Sequence, residues 1–302
     1  MCMNAFRALQ RFEMSGYISS FTSPEGENEY RSAYDAVMKR WTVPYEELDI
    51  PTGFGITHVI ASGLKSLPPL LLLHACGASA TMWFPNVGPL SHAFRVFAVD
   101  IMGEPGKSRQ SRLLRSHEDC ATWLSQLIEG LELTLPDIAG SSYGGWHALN
   151  FSIHCPDLVN RIVVLAPGAS VLPFSWPVLL MLRLIPYLPV KPNPLKRFFG
   201  KDFHVDESFA RQFELGIKHF RYADPKESIF TNVFQDRELQ SIHTPVLFLA
   251  GENEVIYSPA AAIDKVRKIM PGAEAKMIPH AGHLLSMEQP ELVNECIFKF
   301  LR

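Results

Sequence analysis

Cysteine is too sparse and too scattered in this chain to hold it together. The five residues, Cys2, Cys76, Cys120, Cys155 and Cys296, are odd in number and contain no C-x-x-C pair. That excludes a disulfide framework and a cysteine-based zinc site, and it makes the reducing cytoplasm the expected compartment. Basic residues are not in excess either: 28 Lys and Arg stand against 31 Asp and Glu, for a net charge of −3. With no basic run, neither a nucleic-acid partner nor attraction to an anionic membrane is expected. No internal repeat or low-complexity tract occurs, and no cluster of His, Cys, Asp and Glu has metal-ligand spacing. No metal and no cofactor is therefore expected. Gly103, Gly106 and Lys107 lie too close together for the G-x-x-x-x-G-K-[ST] phosphate loop.

A clean apolar span is also missing. Met1 to Ser20 mixes polar and apolar residues and has neither the apolar core nor the cleavage site of a signal peptide. Val171 to Val190 (VLPFSWPVLLMLRLIPYLPV) has the length of a membrane span. It carries Pro173, Pro177, Pro186, Pro189 and the charged Arg183. Proline breaks the helix and the guanidinium is expensive in lipid, so an apolar lid is expected and stable membrane insertion is not.

What is present is a rhythm. Short continuous apolar runs, Pro69–His74, Arg95–Asp100, Leu135–Ala139 and Arg161–Ala166, alternate with helical patterns at Ser79–Leu90, Glu118–Leu131 and Trp146–His154. Such runs fit parallel strands covered on both faces. Before them lie a helical candidate, Glu27–Arg40, with Tyr30, Tyr34, Val37 and Met38 on one side, and a hairpin signal at Pro51-Thr52-Gly53. The rhythm breaks from Pro167 to about Ser241. That stretch is rich in Pro, Phe and Leu, shows no clear strand, and includes the helical candidate Asp206–Phe220. It resumes at Pro245–Ala250, Pro259–Met270, Ala275–Ile278 and Pro290–Phe300. The expected fold is α/β: a mostly parallel central sheet with helices on both faces and an inserted helical cap. The expected division is an N-terminal extension over 1–43, a core made of 44–167 and 242–302, and the cap over 168–241.

The most informative stretch is Gly140-Ser141-Ser142-Tyr143-Gly144-Gly145, between a strand-like run and a helix-like one. A sharp strand-to-helix turn strains its central residue and needs small residues two positions away on each side. Gly140 and Gly144 stand there for Ser142, not for Ser141. This is the nucleophile elbow of α/β-hydrolases, whose acid and histidine follow the serine along the chain. A serine hydroxyl needs a base, and the base needs an orienter. His283, in a loop after the last strand, is the base candidate, with His280 as its rival. Glu254, in the turn after Pro245–Ala250, is the acid candidate, with Glu252 as its rival. The alternative acid position, after the strand that follows the elbow, reads Ala166-Pro167-Gly168-Ala169 and offers no carboxylate. Two backbone amides are needed for a developing oxyanion. Tyr143 supplies one, and the loop His74-Ala75-Cys76-Gly77 supplies the other through Cys76, provided that Ala75 keeps a negative φ. Asp100 and Gly103 are read as structural turn residues.

The chain resembles the α/β-hydrolase superfamily over about residues 45–302. More closely, it resembles the cofactor-independent carboxylesterases of bacilli. The strings that carry this are THVIASG (Thr57–Gly63), TMWFPN (Thr81–Asn86), GENEVIYSP (Gly251–Pro259) and AGHLLSMEQP (Ala281–Pro290). That group also places Glu where Asp is commoner, in keeping with Glu254, whereas its usual H-G loop start is H-A here. The resemblance implies hydrolysis of a small-molecule ester through an acyl-enzyme. Phe174, Trp176, Leu179, Leu180, Leu184, Tyr187 and Phe199 of the cap are candidates for an apolar acyl pocket favouring hydrophobic or aromatic acids, or for simple packing of cap on core. Other triad hydrolases (lipase, thioesterase, carbon–carbon hydrolase, cofactor-free perhydrolase) share the same residues. A ligand receptor on a hydrolase scaffold is the reading from outside enzymes.

Overall fold

The computed structural model describes residues 18–175, 203–223 and 233–302. A nine-stranded sheet forms its centre. Parallel strands run in the order β11 (Glu274–Ile278), β10 (Val246–Gly251), β8 (Ile162–Leu165), β7 (Asp137–Ser141), β4 (Pro69–Leu73) and β5 (Arg95–Val99). Beyond β5 the pairing turns antiparallel through β3 (Gly55–Ser62) to β2 (Tyr45–Thr52), and the two-residue β6 (Arg109–Gln110) lies beside β3.

Strand residues point alternately to the two faces, so a strand with both faces covered must be apolar throughout. Leu70, Leu72, Val96 and Ala98 enter one core, and Leu71, Leu73, Phe97 and Val99 enter the other. The first is closed by α1 (Pro24–Met38), α2 (Phe84–Ser91) and α9 (Pro290–Leu301), with α5 (Glu207–His219) adding Phe209 and Leu215. The second is closed by α3 (His117–Gly130), α4 (Tyr143–His154) and α7 (Pro259–Ile269), with Leu239 of the short α6 (Asp236–Gln240). Each buried Leu, Ile or Val side chain stabilises by ~1.5–3 kcal/mol, which is why these short strands hold without help from cross-links.

Local signals set the helix starts. Ser23, Ser116, Asp206 and Ser258 accept first-turn amides of α1, α3, α5 and α7, each cap worth about 1 kcal/mol. Two elements escape the periodic pattern. Ser79–Leu90 reads as one helix, but the chain makes a 3-10 turn over Ala80–Trp83 before α2 begins at Phe84, next to Pro85. No strand is expected between Pro167 and Ser241, yet β9 (Phe220–Arg221) pairs antiparallel with β1 (Ser20–Phe21). Two-residue strands carry no period to read. The α1 segment is tied to the core as well: Tyr34 donates to Asp100, and the Trp41 indole to Ser62.

Of the stretch Val171–Val190, only the beginning falls within the described residues. Among the described residues no helix is long and apolar enough to cross a membrane, and no His, Cys, Asp and Glu group could hold a metal ion.

Candidate active site

The carboxyl ends of β4, β7, β10 and β11 supply the site, the edge of a parallel sheet where ligands gather. Ser142 joins β7 to α4 with φ 51° and ψ −107°, a strained conformation for a residue with a Cβ. The turn is held by its own backbone. The Ser142 amide donates to Leu165, and its carbonyl accepts from Trp146 and Gly168. The glycines that flank it are sterically required. A Cβ on Gly140 would lie 2.2 Å from the Gly144 carbonyl oxygen, and one on Gly144 would lie 2.1 Å from that of Leu73. Both obstacles are backbone and cannot step aside. Gly140→Ala or Gly144→Ala is therefore expected to destabilise by about 3 kcal/mol or more, a melting temperature roughly 5–10 °C lower. Gly272→Ala, whose new methyl would meet nothing within 4 Å, is the control, and melting curves of the three proteins decide the point.

As the N-cap of α4, Ser142 makes no side-chain capping bond. Its hydroxyl faces His283 instead, 2.8 Å from Nε2. The other ring nitrogen, Nδ1, lies 2.7 Å from Glu254 Oε2. Both partners of the histidine are buried, and the Glu254 side chain has no exposure at all. The remaining carboxylate oxygen of Glu254 accepts the Ile256 amide at 2.8 Å. An ionised carboxylate on Nδ1 puts the imidazole proton there and leaves Nε2 free to receive the serine proton.

Glu254 and His283 arrive together because their two loops interlock. The Glu252 and Asn253 amides donate to Ile278 and Ala281, extending the β10–β11 pairing past the strands. A Cβ on Gly251 would sit 2.1 Å from the Gly282 carbonyl oxygen, so the close crossing needs glycine. From the following turn, α8 (Leu285–Glu288), the Glu288 carboxylate accepts the Gly282 amide at 2.9 Å, immediately before His283. The rivals are placed elsewhere. His280 is exposed, and Glu252 accepts its amide at 3.0 Å, so this pair braces the loop without reaching Ser142.

The loop after β4 approaches the elbow from the other side. The His74 carbonyl accepts the Gly144 amide. The His74 ring accepts the Ile101 amide at Nε2, which places its proton on Nδ1, facing the Ala75 carbonyl 2.8 Å away. Burial lowers the pKa of this histidine, so it is a neutral strut rather than a second base. Ala75 keeps a negative φ, and the positive value falls on Gly77, at 75°. The amides on either side of Cys76 are engaged: Ala75 donates to the Met82 sulfur, and Gly77 to Glu104 Oε2 at 2.7 Å. Among the described residues no acceptor takes the Cys76 amide between them. Burial pushes the Cys76 thiol well above its ordinary pKa, which leaves it a poor nucleophile. Tyr143, directly after the serine, begins α4, whose N-terminus carries partial positive charge. His147, one turn on, stacks edge-on against the Tyr143 ring at 4.5 Å, and burial holds its pKa at about 3.

Asp100 and Gly103 shape the next turn. Asp100 accepts the Ala80 and Lys107 amides, and Gly103 has φ 87°. The alternative acid position is closed: a Cβ on Gly168 would lie 3.1 Å from Ser142 Oγ. Of the pocket candidates, Phe174 is partly buried and, like Tyr143, packs against the core cluster that includes Trp146. Trp176, Leu179, Leu180, Leu184, Tyr187 and Phe199 lie outside the described residues. Two carboxylates at the site, Glu104 and Glu288, are invisible to motif reading. The only local signal for Glu104 is an acid between Gly103 and Pro105 in a loop at the carboxyl end of a parallel strand.

The model of the alpha/beta hydrolase family matches residues 70–295. Carboxylesterase YbfK of Bacillus subtilis is 35% identical over 284 residues, covering 93% of this chain and 96% of that protein. The uncharacterized carboxylesterase nap of the same organism is 35% identical over 274 residues, covering 90% and 91% of the two chains. The crystal structure of naproxen esterase (carboxylesterase NP) from Bacillus subtilis superposes with a TM-score of 0.86 at 34% identity, over 93% of this chain and 99% of that one. With a family match over most of its length, a mostly parallel sheet and a serine at the strand-to-helix turn, this chain belongs to the alpha/beta hydrolase family.

Proposed function

We propose that this protein is a serine carboxylesterase in which Ser142 is the nucleophile, His283 the general base and acid, and Glu254 the orienter of the histidine. The observation that carries this reading is the buried chain of contacts from Ser142 Oγ to His283 Nε2, 2.8 Å, and from His283 Nδ1 to Glu254, 2.7 Å. His283 takes the hydroxyl proton as Ser142 attacks the ester carbonyl carbon. The Cys76 and Tyr143 amides hold the resulting oxyanion, aided by the N-terminus of α4. The intermediate collapses as His283 hands its proton to the leaving alcohol, and an acyl-serine remains. Water, deprotonated by the same imidazole, then releases the acid and restores the serine. Relatives named as carboxylesterases at 35% identity support the ester as substrate.

The acyl side of the substrate is apolar in this reading. The apolar composition of the stretch that holds Phe174, Trp176, Leu180, Leu184 and Tyr187 supports it, and the naproxen esterase relative carries an aromatic acid in its name. Each methylene buried in such a pocket is worth ~0.8 kcal/mol, about fourfold in rate. In a p-nitrophenyl ester series, kcat/KM for the butyrate is expected to exceed that for the acetate by roughly tenfold, with aryl-substituted acids higher still. A flat series would remove the apolar acyl pocket, and absence of turnover across it would remove the esterase.

A further inference from the structure

Glu104 is a carboxyl group in an unexpected place. It follows Gly103 in the turn after β5, and it is 5% exposed, hence shut away from water. Its hydrogen-bond partners are neutral donors. The Gly77 amide reaches Oε2 at 2.7 Å, and the Tyr222 hydroxyl reaches the same oxygen at 3.3 Å. Burial raises its pKa to about 7, with the Gly77 and Tyr222 hydrogen bonds working in the opposite direction. Holding an ionisable group in such a place is costly unless its bonds do something in return.

The placement of those bonds is specific. Gly77 and Cys76 belong to the loop that offers the Cys76 amide. Tyr222 comes from the block inserted between β8 and β10, just after β9. The same block presses on the loop at two more points. Phe213 of α5 lies 3.1 Å from where a Gly77 side chain would begin. Gln212 of α5 bonds to Ser79 and Thr81, directly downstream. The loop's positive φ, 75°, falls on Gly77, a conformation that glycine adopts without steric cost.

We propose that Glu104 is a positioning residue for oxyanion stabilisation: by holding the Gly77 amide and the Tyr222 hydroxyl at one carboxyl group, it fixes the peptide that follows Cys76, restrains the backbone turn from which the Cys76 amide projects, and couples that turn to the inserted block. This rests on the esterase reading above. In the ground state the ester carbonyl gains little from a donor aimed at the oxyanion. In the transition state it gains much more, because charge has moved onto the oxygen. Loss of Glu104 therefore falls on kcat rather than on KM.

The experiment uses the full chain and p-nitrophenyl butyrate, with competent sites counted by stoichiometric fluorophosphonate labelling of Ser142. Wild-type turnover comes first: without it the esterase reading fails, and Glu104 is not what has been tested. Given turnover, Glu104→Ala is expected to lower kcat per labelled site by about 10–100-fold, the scale of a misaimed oxyanion donor, with KM within about threefold. Glu104→Gln keeps an oxygen for the Gly77 amide and is expected to recover most of that loss. Tyr222→Phe, which removes one of these two donors, is expected to lower kcat about threefold. Wild-type kcat per labelled site in Glu104→Ala would overturn the proposal, since only the folded fraction would then have changed. A loss confined to KM, or a Glu104→Gln no better than Glu104→Ala, would overturn it too. If Glu104→Ala does not fold, Tyr222→Phe and Glu104→Gln decide: no change per site in the first, or a hundredfold loss in the second, ends the proposal.

Discussion

Replacing Ser142 by alanine is expected to remove ester turnover by about 10^6-fold in kcat while leaving the protein folded. The chemistry has no substitute. The neighbouring hydroxyl, Ser141, is fully buried, and His283 is directed at position 142. The fold survives because nothing in the turn depends on the hydroxyl: its backbone bonds to Leu165, Trp146 and Gly168 involve only amides and carbonyls. Alanine keeps the Cβ and with it the strain of a φ of 51°. Glycine would relieve that strain, so Ser142→Gly is expected to be as inactive but more stable than Ser142→Ala by about 1 kcal/mol. Ser142→Gly no more stable than Ser142→Ala would show that a Cβ at this φ carries no strain. Initial rates with a p-nitrophenyl ester and paired melting curves measure both effects. Turnover near the wild-type level in Ser142→Ala would sink the acyl-enzyme reading outright.

The elbow is legible in sequence because its requirement is local. Two glycines four residues apart answer a steric problem that lies within one turn, and the Gly140 and Gly144 contacts show how narrow the solution is. The parallel sheet is legible for a similar reason, since strands buried on both faces must be apolar at every position. The partners of Ser142 are of another kind. His283 lies 141 residues away, and Glu254 a further 29 from the histidine in the opposite direction. No period or spacing joins them, and only the chain order shared by a family points to them. Glu104 is illegible even at that level. Its contacts to Gly77 and Tyr222 span 27 and 118 residues, and one of those residues sits in the inserted block. Ahead of Asp206, that block is where sequence patterning fails most fully: apolar residues and prolines follow one another without a 3.6 or 2.0 repeat, so no face can be assigned from the string alone.

The departure from the usual H-G loop start is resolved in the same physical terms. A glycine after His74 is needed only if the backbone turns left-handed there. Here the positive φ falls two residues later, on Gly77. Alanine at 75 fills a small buried space, and its carbonyl receives both the His74 ring and the Ala78 amide. In this loop a different residue, Gly77, carries the unusual dihedral.

Glu254→Gln is expected to lower kcat by about 10^4-fold, a far larger effect than an isosteric change of one atom implies. The reason lies in the second oxygen. The Ile256 amide donates to Glu254 Oε1 at 2.8 Å. In the glutamine variant that donor selects the amide oxygen, which turns the side-chain NH2 toward His283. Two donors cannot face each other across 2.7 Å, so His283 must surrender its Nδ1 proton and carry it on Nε2. Nε2 then donates toward Ser142 and cannot receive its proton. Glu254→Ala frees the tautomer but abandons the orientation, and it leaves a buried ring N–H unpaired, so a loss of similar size is expected. Glu254→Asp separates these effects. Aspartate keeps the charge and the correct tautomer, but it is one methylene short and withdraws the carboxylate by about 1 Å, a misplacement worth about 10^2-fold. The expected order of kcat is therefore wild type, then Asp, then Gln and Ala, read from saturation kinetics on one ester. Glutamine at or above the level of aspartate would show that charge and tautomer at His283 do not limit the reaction, and would remove Glu254 from its assigned role.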